Sequence, residues 1–163
     1  MITIENYDRI TSSASDIWNM FLRLNECYFD LSKNHISYKC IGGSPNSLGS
    51  IYKVREYFRG RQISIRYRLI EIVERNKIVL LSEFPHVLLG MKITYTLKEE
   101  ENSTILNEKI EFGFSNPIAA LIINPIIRLI ISPYVQNIKS DQRERFTGIK
   151  KMFLKNEPEL VEK

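Results

Sequence analysis

Histidine and cysteine are nearly absent from this chain. The only imidazoles are His35 and His86 and the only thiols Cys27 and Cys40. They stand at no spacing that a zinc or iron site uses, so no metal, no cofactor and no disulfide framework is expected. No P-loop, no dinucleotide-binding glycine pattern and no nucleophile elbow occurs, which removes the usual support for nucleotide hydrolysis, hydride transfer and serine-hydrolase chemistry. Glycine and proline, 7 and 6 of 163 residues, are too scarce for a collagen-like or low-complexity chain. The opening residues, MITIENYDRI, contain acids and no apolar run of signal-peptide length, so the cytoplasm is the expected compartment. The most apolar stretch, Ile118 to Val135, is interrupted by Pro125, Arg128 and Pro133. It falls short of the roughly 18 uninterrupted apolar residues of a spanning helix and reads as soluble or interfacial.

What is present is an ordinary globular composition. Hydrophobic residues make up 44% and charged residues 26%, enough apolar material for one core, and the length fits a single domain over residues 1–163. Lys and Arg number 23 against 19 Asp and Glu, a net charge of +4. That excess is too mild and too dispersed to announce a nucleic-acid arm.

Alternating apolar residues in ITIENYDRI indicate a first strand. Ser13 with Asp16 forms a capping box ahead of Ile17, Trp18, Phe21 and Leu22 at helical spacing, and a second short helix follows toward Leu31. After the short strand HISYKCI comes GGSPNSLGS, a loop. From Ser50 to Phe114 the period-two pattern recurs between short polar breaks, which predicts an antiparallel meander. Arg59 and Gly60 make a tight turn, so that Val54 faces Ile65 and Tyr52 faces Tyr67. Lys53, Arg55, Arg66 and Arg68 then share the opposite, basic face. Further strands are expected in KIVLLSEF, LGMKITYTLKE and TILNEKIEFGF. The last third is helical: Pro117 opens one helix, capped by Ser115 or Asn116. Pro125 and Pro133 should kink or restart it. An amphipathic helix from about Val135 to Leu154 then carries Ile138, Phe146, Ile149, Met152 and Phe153 as its stripe.

The order strand, two short helices, long meander and terminal helix is that of the helix-grip fold. TSSASDIWNMF, with Ile17 and Trp18, resembles the opening of the START-like (SRPBCC) superfamily. CIGGSPNSLGSIYKVREYFRGR resembles its glycine loop entering the third strand, RLIEIVERNKIVLLSEFP its next hairpin, and FTGIKKMFLKN the end of its gripping helix. The nearest flavour is the polyketide cyclase/dehydrase and lipid-transport branch. The resemblance implies an α+β fold, with a curved antiparallel sheet wrapped around a long carboxy-terminal helix and an apolar cavity between them. It also implies binding or transport of a hydrophobic small molecule, lipid-like or polyketide-like. The iron-bearing oxygenases of that superfamily do not fit, since two distant histidines and no iron–sulfur cysteine set are present. The apolar helical insertion at 118–135 departs from the compact members.

On that frame Glu108 is the first candidate, because Leu106, Ile110 and Phe112 share its strand face. A buried acid there would serve as a proton donor or a polar anchor. Tyr95 should lie opposite it, and Glu56 shares the apolar face of its own strand. The expected cavity wall is Tyr52, Val54, Ile65, Tyr67, Tyr95, Glu108, Ile110 and Phe112 from the sheet, with Phe146 and Ile149 from the helix. Glu108, Tyr95 and His35 are weak candidates for proton transfer. The leading reading is a non-catalytic carrier of a hydrophobic ligand, and the alternative is a cyclase or dehydratase using the same pocket. The 118–135 segment has three readings: a lid, a peripheral membrane contact, or packing against the sheet or the second subunit of a homodimer.

Overall fold

Alternation in the first strand, β1 (Ile2–Ile10), turns Ile4 and Ile10 into the core and leaves Thr3, Glu5 and Arg9 outside. The structure, a computed structural model, describes residues 1–154. Ser13 starts α1 (Ala14–Leu22). Its hydroxyl oxygen accepts from the Asp16 amide at 3.1 Å and donates to the Asp16 carboxylate at 2.6 Å, satisfying donors that a helix start otherwise leaves open. A second helix, α2 (Leu24–Leu31), buries Tyr28 and Leu31.

Six strands follow: β2 (His35–Gly42), β3 (Ile51–Phe58), β4 (Arg61–Val73), β5 (Lys77–Ser82), β6 (Lys92–Glu100) and β7 (Ser103–Phe112). With β1 they form one antiparallel sheet in the order β1-β7-β6-β5-β4-β3-β2. The β3–β4 register is the expected one, with Val54 opposite Ile65 and Tyr52 opposite Tyr67. It is set by a two-residue turn in which Arg59 and Gly60 both take positive φ, 52° and 75°, the geometry whose twist matches the strands it joins. Register shifts in β2 and between Leu69 and Glu71 of β4 bend the sheet, as extra residues in one strand do.

The β5–β6 connection departs from expectation. The sequence pattern extends both strands further, yet β5 ends at Ser82 and β6 begins only at Lys92, with a 3-10 turn at His86–Leu89 between them. Pro85 has no amide hydrogen for a ladder, and Gly90 takes φ +57° where a Cβ would lie 2.4 Å from the Gly113 carbonyl oxygen. Those two residues turn the chain instead of extending it.

The carboxy-terminal third holds α3 (Pro117–Ile131), a 3-10 turn at Ser132–Tyr134, and α4 (Val135–Leu154). Asn116 caps α3, its side-chain oxygen accepting from the Ile118 and Ala119 amides. The helix does not restart at Pro125, since α3 runs through it. Proline there removes the partner of the Leu121 carbonyl, but Leu121 and Pro125 both face outward, where water can serve that oxygen. The interruption at Pro133 does occur.

Helix α4 lies in the sheet's concavity and buries Gln142, Phe146, Gly148 and Ile149, with Ile138, Met152 and Phe153 partly buried against the same core. Burying a side chain the size of Phe146 contributes about 2–3 kcal/mol. Gly148 lets α4 touch the end of α2: a Cβ there would lie 2.1 Å from the Leu31 carbonyl oxygen. Glu144 seals the same contact by accepting from the Ser32 hydroxyl at 2.9 Å and the Lys33 amide at 3.1 Å. The stretch that resembles the end of the gripping helix runs on to Lys155 and Asn156, which lie outside the described residues.

Candidate functional site

Between the sheet and α4 lies a cavity of about 210 Å³. The inward-facing residues of five strands line it: Val54 of β3, Ile65 and Tyr67 of β4, Leu80 of β5, Tyr95 of β6, and Ile110 and Phe112 of β7. Phe146 and Ile149 face them from α4, and Ile131, Tyr134 and Ile138 complete the wall from the α3–α4 passage. These are the apolar positions that strand and helix periodicity select.

One polar cluster stands on this wall. Glu108 is fully buried, and β6–β7 pairing sets it opposite Tyr95, whose hydroxyl donates to Glu108 Oε1 at 2.8 Å. From α4, the Arg145 guanidinium donates to the same carboxylate oxygen and, at 3.1 Å, to the Tyr95 hydroxyl. The Gln142 side-chain amide donates to the Glu108 carbonyl oxygen at 3.3 Å. Arg145 and Tyr95 line the cavity, whereas Glu108 reaches it only through them. Glu108 Oε2, Arg145 Nε and Gln142 Oε1 are buried without a hydrogen-bond partner. Such atoms are uncommon inside proteins, because each retains most of its desolvation cost.

Electrostatics fix the protonation states. Burial works to lower the pKa of Arg145, but the charge of Glu108 and its neighbours outweighs it and holds the guanidinium firmly cationic. Burial, reinforced by Glu108, raises Tyr95 well above the usual phenol range. Burial likewise raises Tyr28, Tyr38 and Tyr67, with Glu56 adding to Tyr28 and Tyr67. All four phenols stay neutral donors near pH 7. Glu56 also faces the cavity and accepts from the Tyr28 hydroxyl at 3.0 Å. Asp141 completes the polar lining, its carboxyl raised by burial and then by Glu56.

Besides Glu108, two expected site residues lie off the cavity wall. Tyr52 is buried but does not line the cavity: its hydroxyl accepts from the Asn46 amide at 2.6 Å, which ties it to the glycine loop. His35 does not line the cavity either. Its ring stacks on Tyr28 at 3.9 Å and 2°, and its Nδ1 lies 2.8 Å from the Tyr28 carbonyl oxygen. Since a carbonyl only accepts, Nδ1 carries the proton. Burial and then the charge of Arg145 lower the His35 pKa to about 3, so the ring is a neutral packing element and not a proton shuttle at physiological pH. His86 does line the cavity, with its pKa lowered by burial.

Arg145 was missed in the sequence, although a signal existed. It lies seven residues after Ile138 and four before Ile149, on the stripe that those residues define. Among the described residues no group of three or more His, Cys, Asp or Glu is placed to hold a metal ion.

No family model matches the chain, and no curated protein matches it. Solved structures do. A protein of Thermus thermophilus is 12% identical with a TM-score of 0.71, over 96% of this chain and 100% of that one. Truncated norcoclaurine synthase from Thalictrum flavum is 16% identical with a TM-score of 0.70, over 96% and 95%. Ara h 8.0201 is 14% identical with a TM-score of 0.67, over 95% and 99%. With the curved seven-stranded sheet, the paired short helices and the gripping α4, these likenesses give the chain the helix-grip fold.

Proposed function

We propose that the chain binds a small hydrophobic molecule carrying one uncharged or donor-bearing polar group, and shelters it between the sheet and α4. The observation that supports this is a cavity with mostly apolar walls and a few polar groups, Arg145 and Tyr95 held by the buried Glu108 behind them, with Glu56 and Asp141 beside. Pockets that bind small ligands combine these features, apolar burial for affinity and a few convergent polar groups for orientation. At about 210 Å³ the space suits a body of one or two rings, given that a cavity of roughly 150 Å³ accepts benzene. Arg145 is already neutralised by Glu108, while Glu56 and Asp141 also face the ligand. A carboxylate would therefore meet repulsion, and a hydroxyl, carbonyl or amine would not.

Native mass spectrometry of the freshly purified protein, followed by denaturation and identification of what is released, tests this reading. One apolar molecule per chain is the expected result. Absence of any adduct, together with failure to bind any of a panel of one- and two-ring phenols and amines, overturns it.

A second reading is a cyclase or dehydratase that folds a polyketide-like substrate in the same space. One feature favours it: Asp141, held above its ordinary range, and Glu56 line the cavity together, as a proton donor and acceptor would. Norcoclaurine synthase, one of the structurally similar proteins, has also been solved in complex with dopamine and hydroxybenzaldehyde, so this fold is compatible with an enzyme. Turnover of a bound ligand that Asp141→Asn abolishes without loss of binding would select the enzyme.

A further inference from the structure

Antiparallel order places three features at one end of the sheet: the β3–β4 turn, the β5–β6 connection and the carboxy end of β7. Helix α3 crosses that end. It is fastened at β7 by Asn124, whose side chain accepts from the Phe114 amide at 2.8 Å and donates to the Phe114 carbonyl at 3.0 Å. At its other end Tyr134 packs on Phe58 of β3, with ring centroids 5.9 Å apart.

Only Ile127 and Ile131 of α3 are buried, which excludes a helix packed away in the core. Leu121 and Leu129 are 80% and 79% exposed, Ile118 is 73%, and Ile122, Ile126 and Ile130 are exposed as well. Phe84 and Leu88, at the same end of the sheet, add 65% and 63%. This is far more apolar surface than a freely soluble face carries.

Charge decides what covers it. From Phe112 to Ile138 the only ionisable charge is Arg128. Around the same end stand Arg59, Arg61 and Arg66, all exposed, and none of the four forms an ion pair among the described residues. Arg59 lies over the Tyr134 ring at 5.5 Å, and Arg66 donates to the Phe84 carbonyl oxygen at 2.9 Å. A second copy joined helix to helix would set Arg128 against an identical α3, which carries no carboxylate. An anionic lipid surface offers both an apolar layer and phosphates. Helix Pro117–Leu154 is long and apolar enough to cross a membrane by length and composition. However, α4 is gripped by the sheet, and α3 alone, at about 22 Å, is shorter than the roughly 30 Å hydrocarbon layer.

We propose that α3, with Phe84 and Leu88, is a membrane-docking face that lies in the plane of an anionic bilayer, its aliphatic side chains in the acyl boundary and Arg59, Arg61, Arg66 and Arg128 at the phosphates. The face stands whatever the cavity holds, because none of its exposed aliphatic residues lines the cavity. Vesicle flotation with the whole chain tests it, comparing pure phosphatidylcholine with phosphatidylcholine containing phosphatidylserine. The protein should float with the anionic vesicles. Leu121→Glu/Leu129→Glu, at two fully outward positions, should reduce binding at least tenfold with an unchanged circular dichroism spectrum, and Arg128→Glu should reduce it about fivefold or more, the equivalent of about 1 kcal/mol per cation. Failure to float with anionic vesicles, or variants that bind like the parent, overturns the proposal. So does a dimer in light scattering that Leu121→Glu/Leu129→Glu splits while vesicle binding is absent, which would assign the face to a second copy.

Discussion

Replacing Arg145 by methionine removes the only cation that, among the described residues, pairs with a carboxylate that has no exposure at all. Glu108 keeps the Tyr95 hydroxyl on Oε1, but its Oε2 is already without a partner. Breaking a buried pair from one side typically costs about 3–5 kcal/mol, because the surviving charge stays desolvated. Arg145 retains 15% side-chain exposure and Glu108 none, so the cost should fall in the upper half of that range. Against a total stability of roughly 5–15 kcal/mol, this is a large loss. Removing both charges, in Arg145→Met/Glu108→Gln, should recover at least about 2 kcal/mol of it, since neutral side chains of similar volume carry no such penalty. Urea titration followed by the fluorescence of Trp18, the single tryptophan, reads both effects. The midpoint should shift at nearly constant slope, as expected when stability changes and the exposed surface does not. A loss below about 1 kcal/mol for Arg145→Met, or strict additivity in the double variant, would refute the buried-pair account.

His35 gives a pH signature of definite sign. Its pKa is about 3 in the folded chain against 6.5 for a free imidazole, so between those values the unfolded state binds more protons and stability rises with pH. The residue should contribute a loss of about 4–5 kcal/mol as pH falls from 7 to 3. Denaturant titrations at several pH values should show that slope flattened in His35→Gln. Gly148→Ala should destabilise by about 3 kcal/mol, the upper end for overpacking, because backbone and not a yielding side chain blocks the new methyl; a melting temperature within one degree of the parent would contradict this. Tyr95→Phe should weaken binding of a hydroxyl- or amine-bearing ligand about tenfold, read by isothermal calorimetry, through loss of one donor and reorientation of Arg145. Equal affinity would mean that the polar cluster only packs.

The fold was legible where local signals sufficed. Gly60 and the flanking alternation set the β3–β4 register to the residue, and the Ser13 cap and Pro117 marked helix starts that the structure reproduces, with Asn116, of the two candidates Ser115 and Asn116, as the second cap. The same locality explains the errors. Tyr52 alternates inward like Tyr67, but whether an inward tyrosine meets a cavity or a folded-back loop depends on Asn46, six residues earlier, whose positive φ of 59° turns its amide toward the hydroxyl. His35 was weighed by its chemistry, and its role is decided by Tyr28, which a helix brings to it.

The polar cluster shows how far pairing rules reach. Glu108 and Tyr95 were expected as neighbours because a hairpin of short connection can align them in only one way, and the structure pairs them. Arg145 joins from α4, 37 residues beyond Glu108, and no local rule fixes where a helix crosses a sheet. Its place follows from Gly148, which sets the depth at which α4 sits on α2, and from the strap α3, which fixes where α4 begins. Hydropathy identified α3 as apolar, but only two of its isoleucines are buried, while six of its Ile and Leu residues are exposed. A helix packed on a sheet covers only one stripe, and among the described residues nothing lies above this one. The strap that closes the end of the sheet therefore carries its apolar surface outward while its inner residue Ile131 lines the cavity. Any surface that takes up the outer stripe would lie one helix diameter, about 10 Å, from the cavity that Ile131 lines.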